Sequence, residues 1–261
     1  DNVLIHGVTI KNPADSPNTD GIDPDCSSNI RISDCMIDVG DDCIAIKAGT
    51  EDTKKCRPCE NITITNCNMI HGHGGVVIGS EMSGSVRNVT VSNCVFQDTD
   101  RGIRLKTRRK RGGAMERLLF QNIVMDRVMC PFVINMYYFC GARGKEKYVW
   151  DKHPYPVDET TPVIRDVQIN NVIVHDAEAA AGFFYGLSEQ PVENVTISDC
   201  VIRMRQNGVE GYPAMMDQMP AMKGAGFYMR HVKGVTLERV KLSGHRTEAM
   251  DADDTAQYTW K

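Results

Sequence analysis

Four short motifs carry side chains suited to acid–base chemistry: Asn18–Gly21, Gly40–Asp42, Gly72–Gly74 and Arg104–Lys106. Together they supply three carboxylates, an imidazole and two cations. Carboxylates and imidazoles can give and take protons in a transition state, and cations can pair with a carboxylate on a ligand. This set of groups fits the cleavage of a glycosidic bond beside an acidic sugar.

Each motif taken alone has a simpler interpretation. Asp41 and Asp42 are adjacent acids, which are commonly solvated, and Asp20 lies among residues that favour turns. His73 stands between glycines, where a histidine is commonly structural. The basic run Arg104–Arg111 is typical of a solvated patch or a nucleic-acid contact, although few aromatic residues interleave it, which argues against single-strand binding.

The spacing of the motifs changes this assessment. Asp41 follows Asp20 by 21 residues, His73 follows Asp41 by 32, and Arg104 follows His73 by 31. A repeat of similar length runs along the chain, so the four groups are predicted to stand on four consecutive coils of one scaffold. Three steps between stacked strands cover roughly 15 Å, which is the length of a few sugar rings.

The repeat unit is a four-residue segment that reads polar, apolar, variable, apolar, an alternation typical of a β-strand. Most start-to-start offsets lie near 28 residues, and two longer offsets indicate insertions. The eight segments are Asn2–Ile5, Asn29–Ile32, Asn61–Ile64, Asn88–Val91, Arg117–Phe120, Asp166–Ile169, Asn194–Ile197 and Gly234–Leu237.

The sixth residue after each segment start is small and apolar or a cysteine, which predicts a ladder in the core. The ladder residues are Val8, Cys35, Cys67, Cys94, Ile123, Val172, Cys200 and Val240. We therefore interpret four of the ten cysteines as buried thiols, which behave as small hydrophobes.

The other cysteines leave several interpretations open. Cys26, Cys43, Cys130 and Cys140 lie outside the ladder, and some of them could pair. The pair Cys56 and Cys59 resembles half of a zinc site, but a second pair of ligands at suitable spacing is absent. A loop disulfide or two free thiols explains that pair better.

A second set of short strands follows the first in most coils. Its members are Cys43–Lys47, Gly75–Gly79, Gly102–Lys106, Phe132–Met136, Gly182–Tyr185 and Gly226–Met229. Two or three short strands per coil of about 28 residues predict an all-β fold, a right-handed, single-stranded parallel β-helix. We expect one catalytic domain over residues 1–261, lacking its N-terminal coils because the first coil begins at once.

The overall composition argues against a nucleic-acid-binding protein and against a membrane-spanning one. At 41% hydrophobic and 25% charged residues, with a net charge of −4, the chain gives no global reason to expect nucleic acid as a partner. No apolar run is long enough to span a bilayer. No signal peptide is visible, but the chain opens at Asp1 rather than at a methionine, so its targeting information is expected to be missing.

The four motifs, in this order, resemble those of glycoside hydrolase family 28, the polygalacturonases. The family pattern of Asn-Thr-Asp, Asp-Asp, Gly-His-Gly and Arg-x-Lys is matched at Asn18–Asp20, Asp41–Asp42, Gly72–Gly74 and Arg104–Lys106. The resemblance implies a pectin-lyase-like right-handed parallel β-helix. Tyr138 resembles the family's substrate-binding tyrosine, although Tyr137 is adjacent.

The resemblance also implies a role for each site residue in an inverting hydrolysis. Asp41 is the general acid, Asp20 and Asp42 hold and activate the water, and His73 supports the acid. The substrate side is expected to involve Asn18 together with Arg104, Lys106 and Tyr138, where both cations pair with the substrate carboxylate. The resemblance implies neither a metal nor a cofactor.

The expected substrate is an acidic polysaccharide, polygalacturonate or its oligomers, bound by a monomer without nucleic acid or membrane. A rhamnogalacturonan or xylogalacturonan hydrolase is the alternative within the family, and a β-helix lyase or a non-catalytic pectin-binding solenoid is the alternative outside it. The substrate favours a secreted or periplasmic location, whereas free core cysteines and no visible signal peptide leave the cytoplasm open.

Two long insertions bear on the mode of attack: roughly Gly141–Pro162 and Arg205–Lys223. Loops of this length are commonly either functional or disordered, and decoration on the outside of the solenoid is the alternative interpretation. We expect them, together with Cys56–Cys59, to wall off the cleft near Tyr138 and to favour exo-cleavage from the non-reducing end. Residues Gly75–Met82 also resemble bacterial exo-acting family members.

Overall fold

A computed structural model describes all residues of the chain, Asp1–Lys261. It contains 21 strands and one short helix, α1 (Lys147–Trp150). The strands are β1 (Leu4–His6), β2 (Thr9–Lys11), β3 (Ser28–Ser33), β4 (Met36–Asp38), β5 (Asp42–Ile46), β6 (Cys59–Thr65), β7 (Asn68–Ile70), β8 (Gly74–Ile78), β9 (Val86–Gln97), β10 (Arg101–Lys106), β11 (Ala114–Asp126), β12 (Cys130–Asn135), β13 (Val163–Ala177), β14 (Ala180–Tyr185), β15 (Val192–Ser198), β16 (Val201–Met204), β17 (Ala225–Arg230), β18 (Val232–Glu238), β19 (Lys241–Ser243), β20 (Met250–Ala252) and β21 (Ala256–Trp260).

The strands form two long sheets in which successive coils pair in parallel. The larger sheet runs β1-β3-β6-β9-β11-β13-β15-β18-β21, with five further strands beside this path. The smaller sheet runs β5-β8-β10-β12-β14-β17-β20. The eight repeat segments and the six second strands predicted from sequence lie on these two paths, and the predicted right-handed parallel β-helix is confirmed.

The backbone conformation at the first residue of each repeat explains why that position is polar. Asn29, Asn61 and Asn88 adopt φ values of 59°, 59° and 57°, a left-handed conformation that asparagine tolerates better than most residues. Their amides stack across coils: the Nδ2 of Asn61 donates to Oδ1 of Asn29 at 3.2 Å, and that of Asn88 to Asn61 at 2.9 Å. The position therefore turns the corner and links neighbouring coils.

The predicted core ladder is confirmed for seven of its eight members. Cys35, Cys67, Cys94 and Cys200 are between 0% and 3% exposed, and Cys94, Ile123 and Val172 are register partners on adjacent strands. Val8 is the exception at 39% exposure, because its coil packs against a neighbour on one side only. All ten cysteines are unpaired thiols, so the alternative of a loop disulfide at Cys56–Cys59 is not found.

The inward side chains join one hydrophobic core of 64 buried residues, which reaches from Ile22 to Val240. The single helix has four residues, so no helix of this molecule is long and apolar enough to cross a membrane. Three of the four motifs reach strands β5, β8 and β10 of the smaller sheet, and Asn18–Gly21 directly precedes Ile22, which forms a bridge to Ile44 of β5.

Candidate active site

A polar cavity of about 530 Å³ opens beside β5 and β10. Six of the eight site residues expected from sequence line it: Asn18, Asp20, Asp41, Asp42, Lys106 and Tyr138. The remaining lining residues are Asp23, Lys47, Ser80, Glu81, Cys140 and Gly141. Arg104 and His73 are not part of this lining: Arg104 contacts Asp42, which lines the cavity, and His73 contacts Asp100, which does not.

Asn18–Gly21 holds Asp20 through contacts with the next coil. The hydroxyl of Thr19 accepts from the backbone N–H of Gly40 at 3.1 Å and donates to the carbonyl of Ser16 at 2.9 Å. The N–H of Gly21 donates to the carbonyl of Asp42 at 3.0 Å, and a Cβ at position 21 would collide with the Cys43 carbonyl and with Ile37. The motif therefore fixes Asp20 against the turn that carries Asp41 and Asp42.

Asp41 and Asp42 both reach the cavity because the chain bends at Gly40 and Asp41 before β5 begins at Asp42. Gly40 is needed for space, since a Cβ there would collide with the Ser16 carbonyl. Asp41 stays half-buried at the cavity, and its Oδ1 accepts from the backbone N–H of Asp42 at 2.9 Å. Asp42, in contrast, is only 1% exposed.

Asp42 is held between two cations. Its Oδ1 accepts from Arg104 at 3.0 Å and its Oδ2 from the Nζ of Lys106 at 2.6 Å. Burial alone would raise the pKa of Asp42, but the charges of Lys106 and Arg104 outweigh burial and hold the pKa below its ordinary value. Asp42 is therefore a carboxylate throughout the neutral and mildly acidic range.

Arg104 lies behind Asp42 rather than in the open cavity. It is 2% exposed, and its second terminal nitrogen lies 3.0 Å from the Sδ of Met215. Lys106 keeps contact with the cavity. Tyr138 lies beside both cations, with its ring centroid 5.6 Å from the Arg104 guanidinium carbon and 5.0 Å from the Lys106 Nζ. Tyr137 is fully buried and points away from the cavity lining.

His73 is fixed by a residue that sequence reasoning missed. Its Nδ1 lies 2.8 Å from the Oδ2 of Asp100, one coil further along. The hydrogen bond to Asp100 raises the pKa of His73. The pKa of Asp100 is lowered, since His73 and Arg101 together overcome the effect of burial. Because ionised Asp100 can only accept, the Nδ1 of His73 carries the proton.

The glycines around His73 let the two coils approach closely. Gly72 has φ of 76°, and a Cβ there would collide with the Asp41 carbonyl. The N–H of His73 donates to that same carbonyl at 3.2 Å. A Cβ at Gly74 would lie 3.3 Å from Oδ1 of Asp42, so this glycine leaves a path along which Arg104 reaches Asp42 from two coils away.

A second group of charges that the sequence did not assign lies at the other side of the cavity. The Nζ of Lys47 bridges Asp20 at 2.9 Å and Asp23 at 2.5 Å. Burial, and then the charge of Asp20, raise the pKa of Asp23 to about 6 although Lys47 opposes the rise. The sequence predicts that Asp23 is structural or supports the site from outside the catalytic set, and the structure places it in the cavity wall.

Both long insertions contact the site, whereas Cys56–Cys59 does not line it. Cys140 and Gly141, at the start of the first insertion, form part of the cavity wall. The second insertion, residues 205–223, crosses the smaller sheet: the Met215 carbonyl accepts from the Asn135 side chain at 3.2 Å and from the N–H of Phe139 at 3.3 Å. Met215 thereby lies against Arg104, although it is not one of the residues that line the cavity.

Sequence comparison finds a family match over most of the chain. The family model described as "Glycosyl hydrolases family 28" matches residues 1–207. A probable polygalacturonase of Vitis vinifera is 32% identical over 206 residues, which cover 78% of this chain and 40% of the relative. An endo-polygalacturonase of Pectobacterium carotovorum subsp. carotovorum is 41% identical over 132 residues, or 50% of this chain and 31% of the relative.

The fold has close relatives among solved structures. An exopolygalacturonase from Thermotoga maritima superposes with a TM-score of 0.71 at 30% identity, covering 94% of this chain and 48% of that one. A family 28 exopolygalacturonase from Yersinia enterocolitica superposes with a TM-score of 0.68 at 20% identity, a likeness that concerns the fold alone. The chain spans less than half the length of each of these relatives.

Proposed function

The chain belongs to glycoside hydrolase family 28, and on that basis we propose that it hydrolyses α-1,4-galacturonosidic bonds in polygalacturonate with inversion at the anomeric carbon. The observation that carries this proposal is Asp42, a buried carboxylate kept ionised by Lys106 and Arg104. It lines the same polar cavity as Asp41 and Asp20.

The environments of the three carboxylates suggest how the roles divide. Inversion needs one carboxylic acid that protonates the leaving oxygen and a carboxylate that activates water on the opposite face. Asp42 cannot be the acid, because its two cations keep it ionised. We assign the acid to Asp41, which is half-buried and pairs with no cation.

The bond changes then balance without a further reactant. The Asp41 proton passes to the glycosidic oxygen as the bond from the anomeric carbon to that oxygen breaks. Asp42 and Asp20 take a proton from the attacking water as its oxygen joins the same carbon. His73 is close enough for the charge of Asp41 to raise its pKa, and it supports the acid from the next coil. These steps require no metal or cofactor.

Recognition of the uronate carboxylate is assigned to Lys106 first. Its Nζ lines the cavity while it also holds Asp42, so a sugar carboxylate could share the ammonium with the catalytic carboxylate. Arg104 contributes to the same electrostatic field from behind Asp42. Asn18 and Tyr138 complete the wall against which a sugar ring would lie. The site is built from one chain, and we propose that residues 1–261 act as a monomeric catalytic unit.

Exo-cleavage is the mode of attack that the loops support. Met215 of the second insertion contacts Arg104 and Asn135 beside the cavity, and Cys140 and Gly141 form part of the wall that also contains Tyr138. If these loops close one end of the substrate groove, the groove accepts a chain terminus more readily than the middle of a polymer. The proposed product is therefore monogalacturonate released from the non-reducing end.

The substrate is tested by comparing reducing ends released from polygalacturonate and from rhamnogalacturonan. We expect release from polygalacturonate and little from rhamnogalacturonan. The opposite preference would assign the chain to the other activity within the family, and binding without any release would indicate a pectin-binding solenoid. The Asp41→Asn variant provides the blank, because it retains the cavity but lacks the proton donor.

A further inference from the structure

We propose that Arg101 is a positioning residue that holds Asp100 on His73 and, through the same guanidinium, anchors the loop 205–223 across the smaller sheet. The orientation of the imidazole and the seating of the loop would then depend on one side chain. The importance of Arg101 for turnover rests on the proposed hydrolase activity. The contacts of Arg101 with Asp100 and with the loop can be tested without measuring turnover.

The guanidinium of Arg101 uses all three of its nitrogens. One terminal nitrogen donates to the Oδ2 of Asp100 at 3.1 Å, the other to the Tyr212 carbonyl at 2.6 Å, and Nε to the Pro213 carbonyl at 3.0 Å. Arg101 is only 5% exposed, so water is poorly placed to replace these partners. A planar fork of donors suits three acceptors in fixed directions, whereas a lysine would offer one point charge.

The Oδ2 of Asp100 is shared between the two sides of this arrangement. It accepts from Arg101 and also from the Nδ1 of His73, at 2.8 Å. Arg101 is therefore placed to fix the direction of the carboxylate that in turn fixes the imidazole. Burial, reinforced by the Arg104 charge, lowers the pKa of Arg101 to about 10, which leaves the guanidinium charged at neutral pH.

The loop 205–223 is also connected to the catalytic carboxylate Asp42, through Met215 and Arg104. Backbone hydrogen bonds of 2.9 and 2.8 Å between Gly211 and Met222 close the base of the loop. Two residues beyond the Pro213 carbonyl, the Sδ of Met215 contacts Arg104, which holds Asp42. A loop that leaves Arg101 would therefore also withdraw Met215 from Arg104.

The charges around His73 determine in which direction its pKa should change when Arg101 is replaced. Asp100 and Asp41 raise the pKa of His73, whereas burial and Arg104 lower it, and Asp42 lies close enough for His73 to affect its own pKa. If Arg101 acts only as a charge, its removal raises the pKa of His73, because one nearby cation is lost. If Arg101 positions Asp100, its removal frees that carboxylate and the pKa of His73 falls.

The experiment is an NMR titration of the His73 ring in wild type and in Arg101→Gln, with the signal assigned by a His73→Gln variant. Amide hydrogen exchange at residues 211–222 is measured on the same samples. We expect the proton affinity of His73 to fall about tenfold and protection within the loop to fall with it. Arg203→Gln, an exposed arginine just before the loop, should change neither.

Arg101→Lys is the second variant, in case Arg101→Gln does not fold, and thermal unfolding monitors both. It keeps the charge but cannot reach three acceptors, so it should loosen the loop and lower the pKa of His73 to a smaller extent. An unchanged or raised pKa of His73, or a loop protected as in wild type, overturns the proposal. A wild type that fails to cleave polygalacturonate would refute the proposed function while leaving these two readouts intact.

Discussion

Asp41 and Asp42 are neighbours in sequence but occupy opposite electrostatic environments. Asp42 is buried between a lysine and an arginine, and Asp41 faces the cavity with a backbone N–H as its partner. Pairs of carboxylates whose surroundings differ in this way are commonly divided between acid and base roles. Strand alternation alone would separate the two side chains, and the bend at Gly40 and Asp41 lets both serve one site.

Asp41→Asn should lower the turnover number about 10²–10⁴-fold, because it removes the proton donor and keeps the side-chain shape. Thermal unfolding should be close to that of wild type. Asp254, which is exposed, provides the matched control, and Asp254→Asn should be fully active. Near-normal turnover in Asp41→Asn would remove Asp41 from the mechanism.

Asp42→Asn should reduce stability as well as activity. The variant leaves Arg104 and Lys106 as buried cations without their carboxylate, a change that typically costs about 3–5 kcal/mol. Denaturant unfolding of the variant and wild type at neutral pH measures this difference directly. Equal stabilities at pH 7 would contradict the view that Asp42 and its cations form a buried unit.

The pH dependence of that stability difference has a defined sign. The pKa of Asp42 is lower in the folded protein than in the unfolded chain, so its stabilisation is fully present above the ordinary aspartate value of about 4. It is lost as pH falls through the folded value. The gap between wild type and Asp42→Asn should therefore be constant near neutrality and shrink below about pH 4; a gap that widens on acidification would contradict this account.

Among the structural elements, the turn that contains His73 depends on a close approach between coils. Gly72→Ala should destabilise the fold and abolish activity, because its φ is 76° and its new Cβ would displace the Asp41 carbonyl. Gly7→Ala is a matched control: Gly7 has φ of 67° with open space around it, so it shows the backbone strain alone, about 1 kcal/mol. Equal effects of the two substitutions in unfolding experiments would show that the approach to Asp41 is unimportant.

Sequence spacing predicted the strands well because each repeat shows its own periodicity. The environment of a side chain in this fold follows from its position within one repeat. This holds for the outward asparagines, the inward cysteines and the alternating apolar residues, as Asn61 and Cys67 illustrate. The residues that line the cavity through regular coils, such as Asp20 and Lys106, followed from the same spacing. Val8 is the exception, since its exposure depends on what lies beside its coil.

Contacts between distant loops and the strands were not predictable in this way. The loop partners of Arg101 are Tyr212 and Pro213, which lie 111 and 112 residues away in sequence. An irregular insertion has no periodicity from which these contacts could be predicted. The sequence likewise predicts that Arg104 binds the substrate, but it does not predict the ion pair between the Arg104 guanidinium and Asp42. Such ion pairs depend on side-chain reach across two coils, and spacing along the chain does not encode that reach.

For the whole molecule, the proposed exo-cleavage predicts slow loss of polymer viscosity. Exo-cleavage shortens each polygalacturonate chain by one residue per event, so viscosity should fall only in proportion to conversion. Viscometry with parallel measurement of reducing ends checks this, and an endo-acting family member supplies the contrasting curve. A steep fall in viscosity at low conversion would show internal cuts and would exclude the role given to Met215 and the loop 205–223.

The central claim is hydrolysis of galacturonosidic bonds with inversion, and proton NMR of the first product tests it most directly. With polygalacturonate as substrate, the account predicts that newly released galacturonate appears as the β-anomer before mutarotation, because water attacks the face opposite the α-linked leaving group. An initial α-anomer would contradict the acid and base assignments of Asp41, Asp20 and Asp42. An unsaturated product would contradict hydrolysis itself and indicate a lyase.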